Sequence, residues 1–249
     1  MKTIAIINQK GGVAKSTTAH AIGTGLARKG LRVLLIDLDP QGNLTYVTGA
    51  KEDGGAWDVL NGKRVQDAVQ KAGDLEILAS TPDLSTPDLK IKGERKLYKL
   101  RDALHRVQYD AVIIDTPPSL GVLTLNAATA ADAVIIPAQA DVLSVEGVKQ
   151  LGTTLAWIRA TTNPDLNVCG VLICRYRAQT RAAGIYTKSL KVLAEALGGS
   201  LIQTRIRECV KIQEAAAFKR SIYDHAPRSN GAADYAAATE EIYERIWRA

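Results

Sequence analysis

Continuous apolar runs separated by stretches of helical length are the feature that most limits how this 249-residue chain can fold. Each run is rich in Ile and Val without alternating polar residues, which is typical of strands covered on both faces. The runs are TIAII (3–7), RVLLID (32–37), LEILAS (75–80), DAVIID (110–115), DAVIIP (132–137), LNVCGVLI (166–173) and SLIQT (200–204). Segments of helical length lie at 15–29, 94–107, 120–131, 144–160 and 181–197. This alternation predicts an α/β fold with a doubly wound, mostly parallel sheet and helices on both faces.

No repeat, low-complexity stretch or linker divides the chain, so we expect a single domain over residues 1–249. Residues 49–95 are the least regular part and are interpreted as loops with short helices. Small and apolar residues recur at helical spacing near the end of the chain, where we expect a helix over 229–248 that docks on the rest of the fold. The residues of this stripe are Tyr235, Ala238, Ile242 and Ile246.

The composition excludes several classes of protein. No run of about 18 apolar residues is present, so we expect no membrane span. The first strand starts at residue 3, which leaves no room for a signal peptide and indicates a cytoplasmic protein. The three cysteines lack C-x-x-C spacing, so disulfide, zinc and iron–sulfur sites are poorly supported. A net charge of +6 is compatible with attraction to a polyanion but does not by itself establish one.

The segment NQKGGVAKST (8–17), between the first strand and the first helix, has the features of a phosphate-binding loop. Backbone N–H groups and a helix N-terminus in this arrangement point at phosphate oxygens. Lys15 would reach the β- and γ-phosphates, and the Ser16 hydroxyl would bind Mg²⁺. Gly11 and Gly12 would let the backbone approach the phosphates closely.

Aspartates follow two further strands at their carboxyl ends. Asp37 and Asp39 lie two residues apart and hence on the same side of an extended chain. Asp115 follows four apolar residues, the pattern of an aspartate that holds Mg²⁺ through water. Because parallel strands end at one edge of the sheet, we expect these carboxylates to share a site with the phosphate loop.

Three segments together resemble the ParA-type (Soj-like) partition ATPases, which belong to a deviant Walker A class of P-loop proteins that also includes MinD. They are KGGVAKST, DLDPQGN and IIDTPPSLGVLTLNAATAADAVIIP. The resemblance implies an ATP hydrolase with ATP and Mg²⁺ as cofactors. It places the catalytic role on Lys10, Lys15 and Asp39, with Asp39 positioning or activating water. It places ATP contacts on Lys10, Gly11, Gly12, Val13, Ala14, Lys15, Ser16 and Thr17, and metal contacts on Ser16, Asp37 and Asp115, the aspartates acting through water.

Lys10 is the signature lysine of that class, which contacts phosphate across a homodimer that encloses two ATP molecules. Physically, Lys10 would be a cation supplied in trans that neutralises charge during γ-phosphoryl transfer. Ala14 departs from the glycine usual in the family. If Ala14 needs a positive φ, alanine costs about 1 kcal/mol, and if it begins the helix the cost is near zero. We favour the second alternative, since Ala14 directly precedes Lys-Ser-Thr.

DNA is the partner that the resemblance and the charge distribution favour. Basic residues concentrate in the C-terminal third, from Arg175 to Arg248, without a recognition-helix module or a separate N-terminal DNA-reading module. This favours non-specific, salt-sensitive phosphate contacts with double-stranded DNA. The resemblance places a DNA contact at Lys211, with Lys219 and Arg220 nearby, and implies a ParB-like centromere-binding partner and a nucleoid-associated location.

Two other functions remain open at this point. One is a MinD-like membrane-associated positioning ATPase, and the other is a P-loop enzyme that transfers phosphate to a small substrate. The adenine-contacting region matches the family least, with Arg175, Arg177 and Arg181 closely spaced, so no base contact is assigned there.

Overall fold

The computed structural model describes residues 1–87, 91–177 and 181–248, without the side chain of Arg181. Within these ranges the strands are β1 (Lys2–Ile6), β2 (Val33–Asp37), β3 (Gln70–Ala72), β4 (Leu75–Leu78), β5 (Ala111–Asp115), β6 (Ala133–Ala138) and β7 (Asn167–Ile173). They form one sheet in the order β3-β4-β2-β5-β1-β6-β7. Every pairing is parallel except that of β3 with β4. The predicted doubly wound, mostly parallel sheet is therefore confirmed.

The helices of the described residues cover both faces of this sheet. They are α1 (Lys15–Arg28), α2 (Asn43–Thr48), α3 (Ala56–Leu60), α4 (Lys99–Leu104), α5 (Val122–Ala130), α6 (Val142–Thr161), α7 (Arg181–Ala196), α8 (Val210–Ala217), α9 (Ile222–His225) and α10 (Asn230–Trp247). One core layer joins the sheet to α3–α7, and the other joins it to α1, α2 and α8–α10. Short 3₁₀ turns at Val65–Asp67 and Pro82–Ser85 complete the irregular region. None of the described helices has the length and apolarity to cross a membrane.

Helix α10 docks against α1, as its apolar stripe predicts. Tyr235, Ala238, Ile242 and Ile246 are all buried. Helix α1 lies close to the sheet, because a Cβ added at Gly23 would come within 2.5 Å of a Leu35 methyl group. This close packing holds the N-terminus of α1 at the carboxyl edge of the strands.

Two sequence expectations for strands were wrong. Strand β3 lies inside the region interpreted as loops and short helices, and its three residues at the sheet edge are too short and too polar to give an apolar run. The segment 200–204 is not a strand, although Leu201 forms an isolated bridge with Val171. Its backbone is diverted by Glu241, whose carboxylate accepts hydrogen bonds from the N–H groups of Gln203 (2.8 Å) and Thr204 (3.0 Å).

Candidate functional site

The phosphate loop joins β1 to α1, and its backbone differs from the expectation at one residue. Ala14 has φ 71° and ψ 34°, in the left-handed region, and lies at the N-cap of α1. The preferred interpretation, in which Ala14 simply begins the helix at no cost, is therefore wrong. An L-residue in this conformation costs roughly 1–2 kcal/mol, which explains why glycine is the usual residue there. Gly12 has a similar φ of 74° without that cost.

Lys15 is the first residue of α1, and its side chain is buried beside the loop. Its ammonium donates a 3.3 Å hydrogen bond to the Lys10 carbonyl oxygen. Burial lowers the pKa of Lys15, while the carboxylates of Asp115 and Asp39 act in the opposite direction. A cation in this position, with one long hydrogen bond, is suited to bind an incoming phosphate.

The aspartates at the strand ends lie side by side, as predicted. Asp37 and Asp115 are register partners in the β2–β5 ladder, and both are completely buried. Burial, reinforced by the charge of Asp37, raises the pKa of Asp115 well above its ordinary value, against the nearby Ser16 hydroxyl and Lys15 ammonium. Ser16 nevertheless lies outside hydrogen-bonding geometry, and among the described residues neither Asp115 carboxylate oxygen has a hydrogen-bond partner.

An unpartnered buried carboxylate next to a phosphate loop needs a cation or ordered water to satisfy it. Mg²⁺ prefers hydroxyl, carboxylate and phosphate oxygens together with several waters, which suits Ser16 and Asp115. No group of three or more His, Cys, Asp or Glu side chains able to enclose a metal occurs in the described part of the chain. The residues therefore fit a magnesium ion that is shared with a nucleotide phosphate, rather than a metal held by protein alone.

Asp37 has a different environment from Asp115. Its Oδ2 accepts hydrogen bonds from both the backbone N–H and the hydroxyl of Thr45, each at 2.8 Å, and its Oδ1 accepts one from the Asp39 N–H at 3.1 Å. Burial raises the pKa of Asp37 to about 6 despite these bonds. Asp37 thus holds the start of α2 in place, and its predicted contribution to the metal site stays a prediction.

A cavity of about 510 Å³ opens at this edge of the sheet. Six predicted nucleotide-site residues line it, namely Gly11, Gly12, Ala14, Lys15, Ser16 and Thr17, together with Asp39. Val13 is buried in the fold and lies outside the lining. Ile206, Ile212 and Ala216, from the segment that ends in α8, also line the cavity, although the sequence alone assigned them no role.

The arginine-rich segment to which the sequence analysis assigned no base contact lies partly at this cavity. Arg175 lines the cavity with a left-handed φ of 52°, and Arg177 forms an ion pair with Glu208 at the cavity rim. The side chain of Arg181 lies outside the described residues. Ile212 and Ala216 of α8 give this part of the lining an apolar surface.

Lys10 does not line the cavity. Its ammonium donates to both carboxylate oxygens of Asp141, at 2.9 and 2.7 Å, and to the Ser144 hydroxyl at 3.3 Å. Burial alone would raise the pKa of Asp141, but the Lys10 ammonium and the Ser144 N–H lower it overall. The Lys10 ammonium is therefore bound to Asp141 and Ser144 at the start of α6, and Lys10 is not among the residues that line the cavity.

The three predicted DNA contacts lie on and just after α8. Lys211, Lys219 and Arg220 are all exposed. The Lys211 ammonium forms an ion pair with Glu214 one helical turn later, at 2.7 Å. Helix α8 therefore has one side on the nucleotide cavity and basic groups facing solvent.

Comparison with known proteins identifies the relatives of this fold and site. An AAA domain family model matches residues 1–168. The chain is 39% identical to the chromosome-partitioning ATPase Soj of Thermus thermophilus, over 100% of this chain and 98% of that protein. It is 36% identical to the chromosome partitioning protein ParA of Caulobacter vibrioides, over 98% of this chain and 95% of that protein. A solved structure of cobyrinic acid a,c-diamide synthase from Mycobacterium smegmatis, with bound ADP and magnesium, superposes with a TM-score of 0.84 at 32% identity, covering 100% of this chain and 96% of that one. With full-length identity at this level and a matching phosphate-loop fold, the chain belongs to the Soj/ParA family of chromosome-partitioning P-loop ATPases.

Proposed function

We propose that this protein is an ATP-dependent dimerising ATPase that binds DNA non-specifically and segregates or positions a plasmid or chromosome with a ParB-like centromere-binding partner. One observation carries the proposal. Helix α8 forms a wall of the nucleotide cavity through Ile212, Gln213 and Ala216 and presents Lys211 to solvent. The same helix therefore contacts both the nucleotide cavity and the basic surface. The whole activity is assigned to one domain over residues 1–249, acting in the cytoplasm on nucleoid DNA.

The nucleotide site would use the residues that line the cavity. Gly11, Gly12 and the N-terminus of α1 would hold phosphate oxygens, and Lys15 would neutralise their charge. Bound Mg²⁺ would supply further positive charge to the transferring phosphate. Ser16, which lines the cavity, and Asp115, which is buried close to Ser16, would hold that ion. Asp39 would orient the attacking water, because it also lines the cavity.

Lys10 would complete the site of the partner protomer. Its absence from the lining of its own cavity supports a role in trans, and Asp141 would have to release it when two protomers associate. Nucleotide binding and dimerisation would then be linked. Two basic surfaces joined in one dimer bind DNA more tightly than either alone, since both contact phosphates at once.

A DNA-binding assay with three nucleotide states tests the proposal. Fluorescence anisotropy on random-sequence duplex is expected to show tight binding with ATP and Mg²⁺ and weak binding with ADP or no nucleotide. Added salt should weaken the ATP-dependent binding, and Lys211→Ala should reduce both the affinity and the salt dependence. Lys63→Ala is a matched control that should leave DNA affinity unchanged, because Lys63 lies outside the basic C-terminal third and likewise forms an ion pair, with Asp58 at 3.0 Å. Equal binding in all three nucleotide states would contradict the proposal.

A MinD-like association with membranes is the second candidate, and one observation favours it. Val210, the first residue of α8, and Phe218, just after its end, have 65% and 67% of their surfaces exposed, beside the same lysines. Exposed apolar groups next to basic ones can enter the headgroup region of a bilayer. The stripe of α10, by contrast, is buried. Pelleting with anionic liposomes in the presence of ATP separates the two candidates, and we expect the protein to remain in the supernatant.

A further inference from the structure

Tyr46 brings an aromatic ring from α2 to the predicted DNA surface. The side chain is 53% exposed, and the Lys219 ammonium lies 4.8 Å from the centre of its ring. A lysine at this distance over a tyrosine face is attracted by the negative charge of the ring face. No sequence pattern indicates this contact, because the two residues lie far apart in the chain.

The backbone of Lys219 is held by the end of α8. The Lys219 N–H donates to the Ala216 carbonyl at 3.1 Å, and the Arg220 N–H donates to the Ala215 carbonyl at 3.0 Å. Lys219 itself has a left-handed φ of 52°. This is the hydrogen-bond pattern of a Schellman helix end, here with lysine where glycine is more usual. The point at which the lysine leaves the helix is therefore fixed.

Helix α2 determines where the lysine side chain goes from that point. A Cβ added at Gly49, at the end of α2, would lie 4.0 Å from Lys219 Cδ, so the aliphatic stem runs along α2 towards the ring. The stem of Lys219 thus lies beside Gly49, and its ammonium lies over the Tyr46 ring. A lysine with a free stem would sample many rotamers, each of which places its charge differently.

The other side of α2 is attached to the phosphate-site edge of the sheet. Thr45 donates two hydrogen bonds to Asp37, and its hydroxyl accepts one from the Ser80 N–H at 2.8 Å. Gly42 and Gly49 bound the helix in left-handed conformations. Adjacent residues of α2 thus contact a strand-end carboxylate and a lysine of the basic surface.

We propose that Tyr46 is a positioning residue of the DNA-binding surface: its ring holds the Lys219 ammonium in place for a DNA phosphate. The inference rests on the proposed function and specifies the residues of that surface. Holding the lysine in advance lowers the conformational entropy lost when it binds. The hydroxyl of Tyr46 is not required, since the ring face makes the contact.

The experiment is a double-mutant cycle in duplex DNA affinity, measured by fluorescence anisotropy with ATP and Mg²⁺. Tyr46→Ala is expected to weaken binding about two- to fivefold, the factor that an exposed contact of this kind supplies. Tyr46→Phe keeps the ring and is expected to bind like the wild type. The double variant Tyr46→Ala/Lys219→Ala should bind no more weakly than Lys219→Ala, because Tyr46 acts through Lys219.

A second ammonium–ring pair provides the control. The Lys29 ammonium lies 4.6 Å from the Tyr243 ring, in a pair formed by the end of α1 and α10 rather than by α2 and the end of α8, so Tyr243→Ala should leave DNA affinity unchanged. Affinity for a fluorescent ATP analogue should also be unchanged in Tyr46→Ala, since Tyr46 does not line the cavity.

Any of four results would overturn the inference. They are wild-type DNA affinity in Tyr46→Ala, a loss of DNA affinity in Tyr46→Phe equal to that in Tyr46→Ala, additive losses of DNA affinity in the double variant, and weakened binding of the ATP analogue by Tyr46→Ala. If the wild-type protein itself shows no ATP-dependent DNA binding, the proposed function fails instead, and the two failures are distinguishable.

Discussion

Replacing Gly11 and Gly12 one at a time with alanine measures the backbone strain in the phosphate loop. Gly12 has φ 74°, Gly11 has no positive φ, and an added Cβ would meet nothing within 4 Å at either position. Both substitutions therefore add a methyl group in open space and restrict the unfolded chain equally. They differ in the left-handed conformation, which costs alanine about 1–2 kcal/mol. At about 2–4 °C per kcal/mol for a chain of this size, Gly12→Ala should melt about 2–8 °C below Gly11→Ala.

The measurement is thermal unfolding followed by circular dichroism, without nucleotide or Mg²⁺, so that ligand binding does not contribute. Relative to the wild type, Gly11→Ala should be stabilised by about 0.4–1 kcal/mol and Gly12→Ala destabilised. Equal melting temperatures for the two variants would refute the reasoning, because the only difference between them is the backbone conformation that each alanine must adopt.

Three further predictions concern the same site. Ala14→Gly should raise the melting temperature by about 1–2 °C in the same assay, because relief of the left-handed strain exceeds the added freedom of the unfolded chain; a lower value would contradict the assigned φ. Asp115→Asn should stabilise the nucleotide-free protein at pH 7.5 by roughly 1–3 kcal/mol while abolishing Mg²⁺-dependent ATP hydrolysis, since it replaces an unpartnered buried carboxyl group that is costly to ionise. The folded-state pKa of Asp115 is raised, so its ionisation destabilises the fold as pH rises above 4; the melting-temperature gain of Asp115→Asn over wild type should therefore be small near pH 4 and grow with pH, and a pH-independent gain would refute this. Asp141→Asn keeps an N-cap residue for α6 but weakens the ion pair with Lys10, so ATP-dependent dimers in sedimentation velocity should form at severalfold lower protein concentration. Lys10→Ala should prevent these dimers. Unchanged dimerisation in both variants would show that Lys10 does not act at the dimer interface.

Much of the nucleotide site could be predicted because its parts are local in sequence. The strand before the loop, the helix after it and the aspartate at the end of an apolar strand each occupy a short segment with its own pattern. A parallel sheet then brings strand ends together at one edge, so the sequence alone was sufficient to predict that Asp37 and Asp115 lie side by side.

Conformation within the loop could not be predicted in the same way. Alanine is compatible with helix, so the sequence favoured a helical Ala14, whereas the closure of the loop onto α1 requires φ 71° there. Tertiary closure overrides the intrinsic preference of a residue when the strain is only about 1–2 kcal/mol. Similarly, Glu241 draws away the backbone of Gln203 and Thr204, which the apolar pattern assigns to a strand.

The sequence by itself determined the class of fold, the phosphate loop and the strand-end carboxylates, because these depend on periodicity and on residues close together in the chain. Only the tertiary structure decided that Lys10 is held by Asp141, that α8 forms a cavity wall and that Tyr46 lies under Lys219. Each of these contacts joins residues from distant segments, and its geometry depends on how helices pack on the sheet. Side-chain direction and charge pairing across such distances follow from packing, which no local pattern records.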